Sequence, residues 1–259
     1  MTISLGSTYA TYSYMAKNTD KVLAQEAADP VNARATKYYK DNIESVKTVD
    51  DFVNNYQLFN YAMKAFGLSD MAYAKAYMKK VLNSDVNSSS SFVNKLSDDK
   101  FKAFAKQFAY LKNGTLPYST DITNVVNKYT QQSMEENAGA EDQGVQLALY
   151  FKRNAASTTS AYSLLGDPAL WQVMKTVYGF PSEMANADIT TQKKAVDAKF
   201  NVKDLQDPDK VDKLLKRFTV MWDVQNNTTS DPIMQLFDTS GSSVSSGTSS
   251  SLIDLKYGG

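Results

Sequence analysis

Residues 48–67 read TVDDFVNNYQLFNYAMKAFG, and this stretch decides the fold class of the chain. Thr48, followed three residues later by Asp51, resembles the capping box that begins a helix. The apolar residues behind it recur at steps of three and four, which places them on one face of a helix. Gly67 comes next and suits the left-handed conformation that ends a helix. The apolar stripe consists of Phe52, Tyr56, Phe59, Met63 and Phe66.

The same order of cap, apolar stripe and break recurs along most of the chain. Four Asp-Pro pairs, beginning at residues 29, 167, 207 and 231, predict helix starts, because Asp caps a helix and Pro fits its first position. No sustained alternation of apolar and polar residues predicts a strand. We therefore predict an all-α fold, a single multi-helical domain of roughly ten helices. The residues expected in its core are Phe52, Phe59, Phe66, Phe101, Phe104, Leu170, Val173, Leu214 and Phe218.

Composition divides the chain into three segments. Residues 1–28 are polar with scattered Tyr and Ala, and they predict a flexible N-terminal arm. Residues 29–237 form the predicted helical domain, and the Ser-rich residues 238–259 predict a disordered tail. Residues 58–68 resemble residues 170–180, as expected if two divergent helical units cover residues 29–137 and 138–237. Chance is the alternative, since any two capped amphipathic helices look alike.

The charge balance excludes several classes of partner. The 259 residues include 28 Lys and Arg and 28 Asp and Glu, so the net charge is zero. Nucleic-acid-binding proteins and polybasic membrane-surface proteins carry a basic excess, so we expect neither partner. No apolar run approaches the roughly 20 residues of a membrane span. The first residues lack the pattern of a cleaved signal peptide. We expect synthesis in the cytoplasm, followed either by retention there or by export without such a signal.

The chain contains neither Cys nor His, which removes much of the usual chemistry of enzymes. Thiol redox chemistry, His-assisted nucleophiles and the common ligands of zinc, copper and haem are all absent. An enzyme would depend on carboxylates, Lys, Tyr or a cation bound through oxygen. We expect no catalytic, cofactor-binding or metal-binding residues and no cofactor.

Two groups of carboxylates come nearest to a site. The first cluster offers oxygen ligands for a hard cation but lacks the spacing of a calcium-binding loop, so we interpret it as a solvated acidic turn. The second, Asp98-Asp99, is better explained by helix capping than by acid–base catalysis. The first cluster consists of Glu135, Glu136, Glu141 and Asp142.

Several stretches in order resemble domain-of-unknown-function family 1217, found mostly in alphaproteobacteria. The resemblance covers about residues 30–225. It implies an all-helical fold and genes that often lie among flagellar genes, and it implies no activity, cofactor or catalytic residue. The stretches are residues 38–43, 49–52, 65–68, 80–82, 91–98 and 165–170.

We therefore expect a non-enzymatic structural or interaction protein with protein partners, linked to flagellar assembly or motility and associated with or exported to the flagellum. One alternative is a peptide-binding adaptor or export chaperone that takes a partner helix in a groove between the two units. Another is an enzyme based on carboxylates. The sequence does not indicate an oligomeric state.

Overall fold

The computed structural model describes residues 3–226, and within that range the all-α prediction is confirmed: every regular element is a helix. Residues 3–226 contain fourteen α-helices, more than the roughly ten expected, because single capping residues divide several predicted helices. They are α1 (Thr8–Lys17), α2 (Thr19–Ala28), α3 (Pro30–Asn42), α4 (Val49–Asn54), α5 (Tyr56–Ala65), α6 (Lys75–Leu82), α7 (Asp99–Gln107), α8 (Ala109–Lys112), α9 (Ser119–Glu141), α10 (Gln143–Ala155), α11 (Ala161–Gly166), α12 (Pro168–Tyr178), α13 (Ile189–Lys199) and α14 (Pro208–Asn226).

Three Asp-Pro pairs begin helices as predicted. The side chains of Asp29, Asp167 and Asp207 each accept hydrogen bonds from two backbone N–H groups of the first turn of α3, α12 and α14. These donors would otherwise lack a partner inside the helix. The fourth pair, Asp231-Pro232, and the predicted tail at residues 238–259 lie outside the described residues.

The stripe of residues 52–66 is divided between two helices rather than carried by one. Asn55 ends α4, and its side-chain oxygen accepts a hydrogen bond from the backbone N–H of Leu58 at 3.1 Å to begin α5. Asn is a preferred capping residue, and here this local hydrogen bond replaces continuation of the helix. The rings of Phe52 and Phe59 still meet edge to face, with centroids 5.8 Å apart.

Helix α9 connects two hydrophobic cores. The N-terminal core contains buried residues between Tyr39 and Tyr129. The C-terminal core contains buried residues between Met134, on the same helix, and Trp222, together with Tyr12, Met15 and Val22. Helix α9 therefore contributes buried residues to both cores. Helix α9 continues through Gly139, where a Cβ atom would lie 2.0 Å from Oε1 of Gln146 in α10.

Most of the predicted core is confirmed, with one error. Phe101 is only partly buried, at the first turn of α7, where its ring contacts that of Tyr77 at 5.5 Å. Position on an apolar stripe does not ensure burial near the end of a helix, where fewer neighbours cover the side chain. The predicted residues that are buried are Phe52, Phe59, Phe66, Phe104, Leu170, Val173, Leu214 and Phe218.

The N-terminal segment differs from the flexible arm expected for residues 1–28. Residues 8–28 form α1 and α2, and Tyr12 and Met15 join the C-terminal core. Thr8 donates its backbone N–H to Asp223 Oδ1 at 2.8 Å and its hydroxyl to Asp142 Oδ2 at 2.6 Å. The buried face of α1 includes Thr8 and Thr11, and polar side chains of this kind leave no hydrophobic pattern in the sequence. None of the helices within residues 3–226 combines the length and apolar character required to cross a membrane.

Candidate functional site

A cleft of about 400 Å³ separates the two cores, and we call it the interunit cleft. The N-termini of α7 and α12 meet on one of its walls, each capped by an aspartate, Asp98 and Asp167. Two segments of backbone approach each other closely here, since a Cβ atom on Gly166 would lie 2.9 Å from the carbonyl oxygen of Ser97. A glycine at position 166 therefore lets the two units touch backbone to backbone.

The charged groups on this wall are bonded to one another. Lys100 Nζ lies 3.7 Å from Asp98 Oδ2 and 3.5 Å from Asp167 Oδ2, so one ammonium bridges the two caps. The Tyr150 hydroxyl donates to Asp167 Oδ2 at 2.5 Å. Burial raises the pKa of Tyr150 far above its usual range, and the Asp167 carboxylate raises it further. The Tyr150 hydroxyl therefore keeps its proton near neutral pH and acts as a hydrogen-bond donor to Asp167.

The Asp98-Asp99 pair is arranged for capping. Asp98 Oδ1 accepts the backbone N–H of Lys100 at 2.9 Å, while Asp99 lies exposed in the first turn of α7. Lys100 bridges Asp98 to Asp167, which lies 69 residues further along the chain. The spacing of these residues in the sequence does not indicate that their side chains lie close together. The ionised caps also interact favourably with the positive ends of their helices.

Lys128 also lines the interunit cleft and, unlike Lys100, is a cation without a carboxylate partner among the described residues. Within residues 3–226 it forms no ion pair, and its ammonium lies 5.2 Å from the centre of the Phe66 ring. Partial burial lowers the pKa of Lys128, and the neighbouring Arg153 guanidinium lowers it further. An acidic group entering the cleft would therefore find one cation without a competing carboxylate.

The cluster interpreted as a solvated acidic turn is not one, because Glu135 is 0% exposed. Its carboxylate accepts two hydrogen bonds from Arg153, each 2.7 Å long. Glu136 pairs with Lys64 at 3.1 Å, and Asp142 caps α10. These carboxylates point to different partners, and the described part of the chain contains no group of three or more acidic residues arranged to hold a metal ion.

A second cavity, of about 550 Å³, lies between α3 and α5, and we call it the α3–α5 groove. Each helix contributes residues at positions i, i+3, i+4 and i+7, so the groove runs for about two helical turns, or roughly 10 Å at 1.5 Å per residue. Val31 stands on its rim and is 63% exposed. The lining residues are Val31, Arg34, Ala35 and Tyr38 from α3, Gln57, Asn60, Tyr61 and Lys64 from α5, and Tyr129 from α9.

Stacked aromatic rings support the floor of the groove. The Tyr61 ring lies between those of Tyr39 and Tyr129, with centroid distances of 4.6 and 3.9 Å. The hydroxyl groups are also held: Tyr61 shares a hydrogen bond of 2.9 Å with Thr36, and Tyr129 donates to Asn32 Oδ1 at 3.3 Å. The floor is therefore formed before any partner binds.

The groove differs in charge from the interunit cleft. Its lining includes the cations Arg34 and Lys64 and no carboxylate, although Lys64 also pairs with Glu136 beside the groove. The alternative hypothesis of an adaptor placed a partner helix between the two units, where the interunit cleft and its charged wall lie. The apolar groove instead lies within the N-terminal unit, and hydrophobic periodicity alone does not indicate which helix faces remain uncovered.

Comparison with known proteins identifies a family and a related fold. The chain shares 39% identity with a protein of Agrobacterium tumefaciens whose X-ray crystal structure is known, with a TM-score of 0.76. The similarity covers 87% of this chain and 97% of the other. No curated protein matches the sequence. A family model described as "Protein of unknown function (DUF1217)" matches residues 65–211, which is 147 of the 259 residues. The chain therefore belongs to the DUF1217 family.

Proposed function

We propose that this chain is a non-enzymatic interaction protein of bacterial flagellar assembly or motility, and that it binds an amphipathic helix of a partner protein in the α3–α5 groove. The observation that carries the proposal is the groove itself. Two parallel rows of lining residues, an apolar rim at Val31 and a stacked tyrosine floor match the way proteins receive a helix that inserts its apolar face.

The charges on the groove favour an acidic partner. Arg34 and Lys64 lie on opposite walls, and no carboxylate lines the groove to repel a negatively charged helix. Complementary charge mainly increases the rate of association and the specificity, while the apolar contacts supply most of the affinity. The fitting partner is a helix of about two turns, with apolar residues three and four positions apart and acidic residues flanking them.

The flagellar part of the proposal has a separate basis, the family to which the chain belongs. The resemblance to family 1217 implies a gene that lies among flagellar genes, and this implication is what supports the flagellar role. The absence of Cys and His adds support for a role in recognition rather than in catalysis. Synthesis in the cytoplasm, followed by association with the flagellum or export to it, is part of the same proposal.

Two surface variants of matched exposure test the groove. Val31→Glu places a charge on the rim, while Val224→Glu places the same charge on an equally exposed site of α14, since Val224 is 65% exposed. In a deletion strain, we expect the unmodified gene and the Val224→Glu variant to restore swimming, and the Val31→Glu variant to fail at equal protein levels. Equal rescue by both variants would exclude the groove as the functional surface.

The deletion strain tests the flagellar role itself. We expect fewer or defective filaments, altered basal-body composition and no lost metabolic reaction. Presence of the protein in purified basal bodies would indicate a structural part, and a soluble complex with one flagellar protein would indicate an adaptor. Normal flagella together with a defect in an enzymatic pathway would overturn the proposal.

A synthetic peptide pair tests the charge preference without knowledge of the partner. Both peptides carry the same apolar helical face, and their flanking residues are glutamates in one and lysines in the other. We expect the glutamate peptide to bind more tightly, and Arg34→Glu to reduce that preference. Stronger binding of the lysine peptide would contradict the proposed partner chemistry.

A further inference from the structure

A smaller cavity of about 200 Å³ opens where α1 crosses α10 and α14, and we call it the α1 pocket. Helix α1 contributes Tyr9, Tyr12 and Lys17 to its lining, and the other two helices contribute two more lysines, Lys152 and Lys216. This pocket lies on the C-terminal unit and shares no lining residue with the α3–α5 groove.

The hydroxyl of Tyr12, which lines this pocket, lacks a hydrogen-bond partner among the described residues. Its side chain is only 5% exposed, and its hydroxyl has no hydrogen-bond partner within residues 3–226. Buried polar atoms in proteins nearly always have a partner, and an orphan of this kind needs an explanation. Tyr12 lines the α1 pocket, but its hydroxyl is closed to solvent, so a molecule bound there would reach that hydroxyl only after the side chains that cover it shift.

The charge of the α1 pocket is positive. Three lysines and the carboxylate of Asp212 line it, so the formal charges sum to +2. Asp212 Oδ1 already accepts a hydrogen bond from Lys152 Nζ at 2.9 Å. Within the described residues Lys17 and Lys216 have no ion-pair partner, and the Lys216 ammonium lies 5.8 Å from the centre of the Tyr9 ring.

The size of the α1 pocket and the type of hydrogen-bond donors that line it limit the class of ligand that fits. A water molecule takes up about 30 Å³ in the liquid, so the pocket has room for several times the volume of one water. Lysines act as point charges towards phosphate, whereas planar recognition of carboxylates typically uses the fork of an arginine, and no arginine lines this pocket.

We propose that the α1 pocket binds a phosphate group, with the Tyr12 hydroxyl donating to one phosphate oxygen and the Lys17 and Lys216 ammonium groups neutralising its charge. The phosphate is either inorganic or carried on a small organic group. The exposed Tyr9 ring offers an apolar wall that would contact an organic group next to the phosphate.

Titration of the full chain with inorganic phosphate and with phenyl phosphate, followed by NMR chemical-shift changes, tests the proposal. Sodium chloride at matched ionic strength is the control for general screening. We expect saturable shifts confined to the signals of α1, α10 and α14, and none with chloride. Tighter binding of phenyl phosphate would identify an organic phosphate as the ligand class, and equal binding would identify the inorganic ion.

Two variants assign the role of Tyr12, and a third serves as a matched control. Tyr12→Phe should remain folded, because it removes a hydroxyl without a partner, and it should weaken phosphate binding about tenfold. Tyr110→Phe removes another buried hydroxyl without a partner, outside the pocket, and should leave binding unchanged. Lys216→Gln, at an exposed position, should weaken binding to a similar extent. Absence of saturable shifts, or unchanged binding by both Tyr12→Phe and Lys216→Gln, would overturn the proposal.

Discussion

Arg153 of α10 and Glu135 of α9 form a two-point ion pair, in which Nε and Nη2 of the guanidinium donate to the two carboxylate oxygens at 2.7 Å each. Gln131 donates a third hydrogen bond to the same carboxylate at 2.8 Å. The pair connects the helix shared by both cores to α10, whose buried residues belong to the C-terminal core. It also holds Arg153 beside Lys128 at the edge of the interunit cleft.

Replacing Arg153 should destabilise the chain strongly, because it leaves the Glu135 charge buried without a cation. We expect Arg153→Met to lower the free energy of unfolding by about 3–5 kcal/mol, measured by urea denaturation. Arg153→Lys should recover only part of this loss, since an ammonium cannot reproduce the fork. The double variant Glu135→Met/Arg153→Met should be more stable than the single Arg153 variant. A loss below 1 kcal/mol in Arg153→Met would contradict this account of the pair.

A methyl group on Gly144 should collide with Trp222. A Cβ atom there would lie 2.3 Å from Cδ1 of the indole ring. In an open helix the change to alanine is favourable by up to about 1 kcal/mol, but forced repacking of a core costs about 1–3 kcal/mol. We expect Gly144→Ala to lower the melting temperature in a thermal denaturation experiment. The same change in a Trp222→Leu background should be tolerated better, and equal losses in both backgrounds would rule out the collision.

Glu26 is a buried carboxylate held by amides rather than by a cation. It accepts hydrogen bonds from Asn32 Nδ2 at 2.6 Å and Asn137 Nδ2 at 2.7 Å, joining α2 to α3 and α9. Glu26→Ala should lower the free energy of unfolding by about 1–3 kcal/mol, because the buried Asn32 amide loses its side-chain acceptor and keeps only the backbone carbonyl of residue 26. Glu44→Ala, at an exposed site, is the control and should change it by less than about 0.5 kcal/mol. Chemical denaturation of the two variants side by side would show the difference, and similar losses would disprove it.

Two phenylalanines from the same predicted core should differ in their contribution to stability. Phe59 is fully buried, so Phe59→Ala should cost about 3–5 kcal/mol. Phe101 is partly exposed, and its replacement by alanine should cost clearly less. Guanidinium denaturation of both variants gives the comparison. A larger loss at Phe101 would contradict its position at the edge of the N-terminal core.

Alkaline pH should destabilise the chain through its buried tyrosines. Burial raises the pKa of Tyr150 above the ordinary value of 10.0, so the folded state retains a proton that the unfolded state releases. The resulting stability is fully present below pH 10 and is lost as the pH rises above it. Absorbance titration of tyrosinate, with unfolding followed in parallel, should show late ionisation of several tyrosines. Tyr150→Phe should remove one of these late groups, and a profile identical to that of the unmodified chain would refute the assignment.

Local pattern was sufficient for the helices because caps and breaks act within a few residues. Asp29, Asp167 and Asp207 begin helices as the Asp-Pro pairs predicted, and Gly67 and Gly179 end α5 and α12 with positive φ angles of 64° and 61°. The missed boundary at Asn55 has the same local origin, since an asparagine side chain can cap a new helix or point into solvent.

The buried ion pair and the contacts of the N-terminal helices could not be predicted from local sequence pattern. Glu135 looked like part of a solvated acidic turn because its partner Arg153 lies 18 residues further along the chain. Residues 8–17 looked weakly ordered because part of their attachment is polar, with Thr8 bonded to Asp142 and Asp223. Both contacts join residues whose spacing carries no periodic signal.

The amino-acid sequence by itself determined that this chain is helical, where most of its helices begin and end, and which residues face a core. These properties follow from hydrogen bonds and apolar spacing within a few turns of one helix. Only the tertiary structure decided which carboxylates are buried, which lysines lack a partner and where an uncovered groove remains between α3 and α5. Those properties depend on how helices distant in sequence pack together, and packing sets the burial and the distances that give a side chain its chemistry.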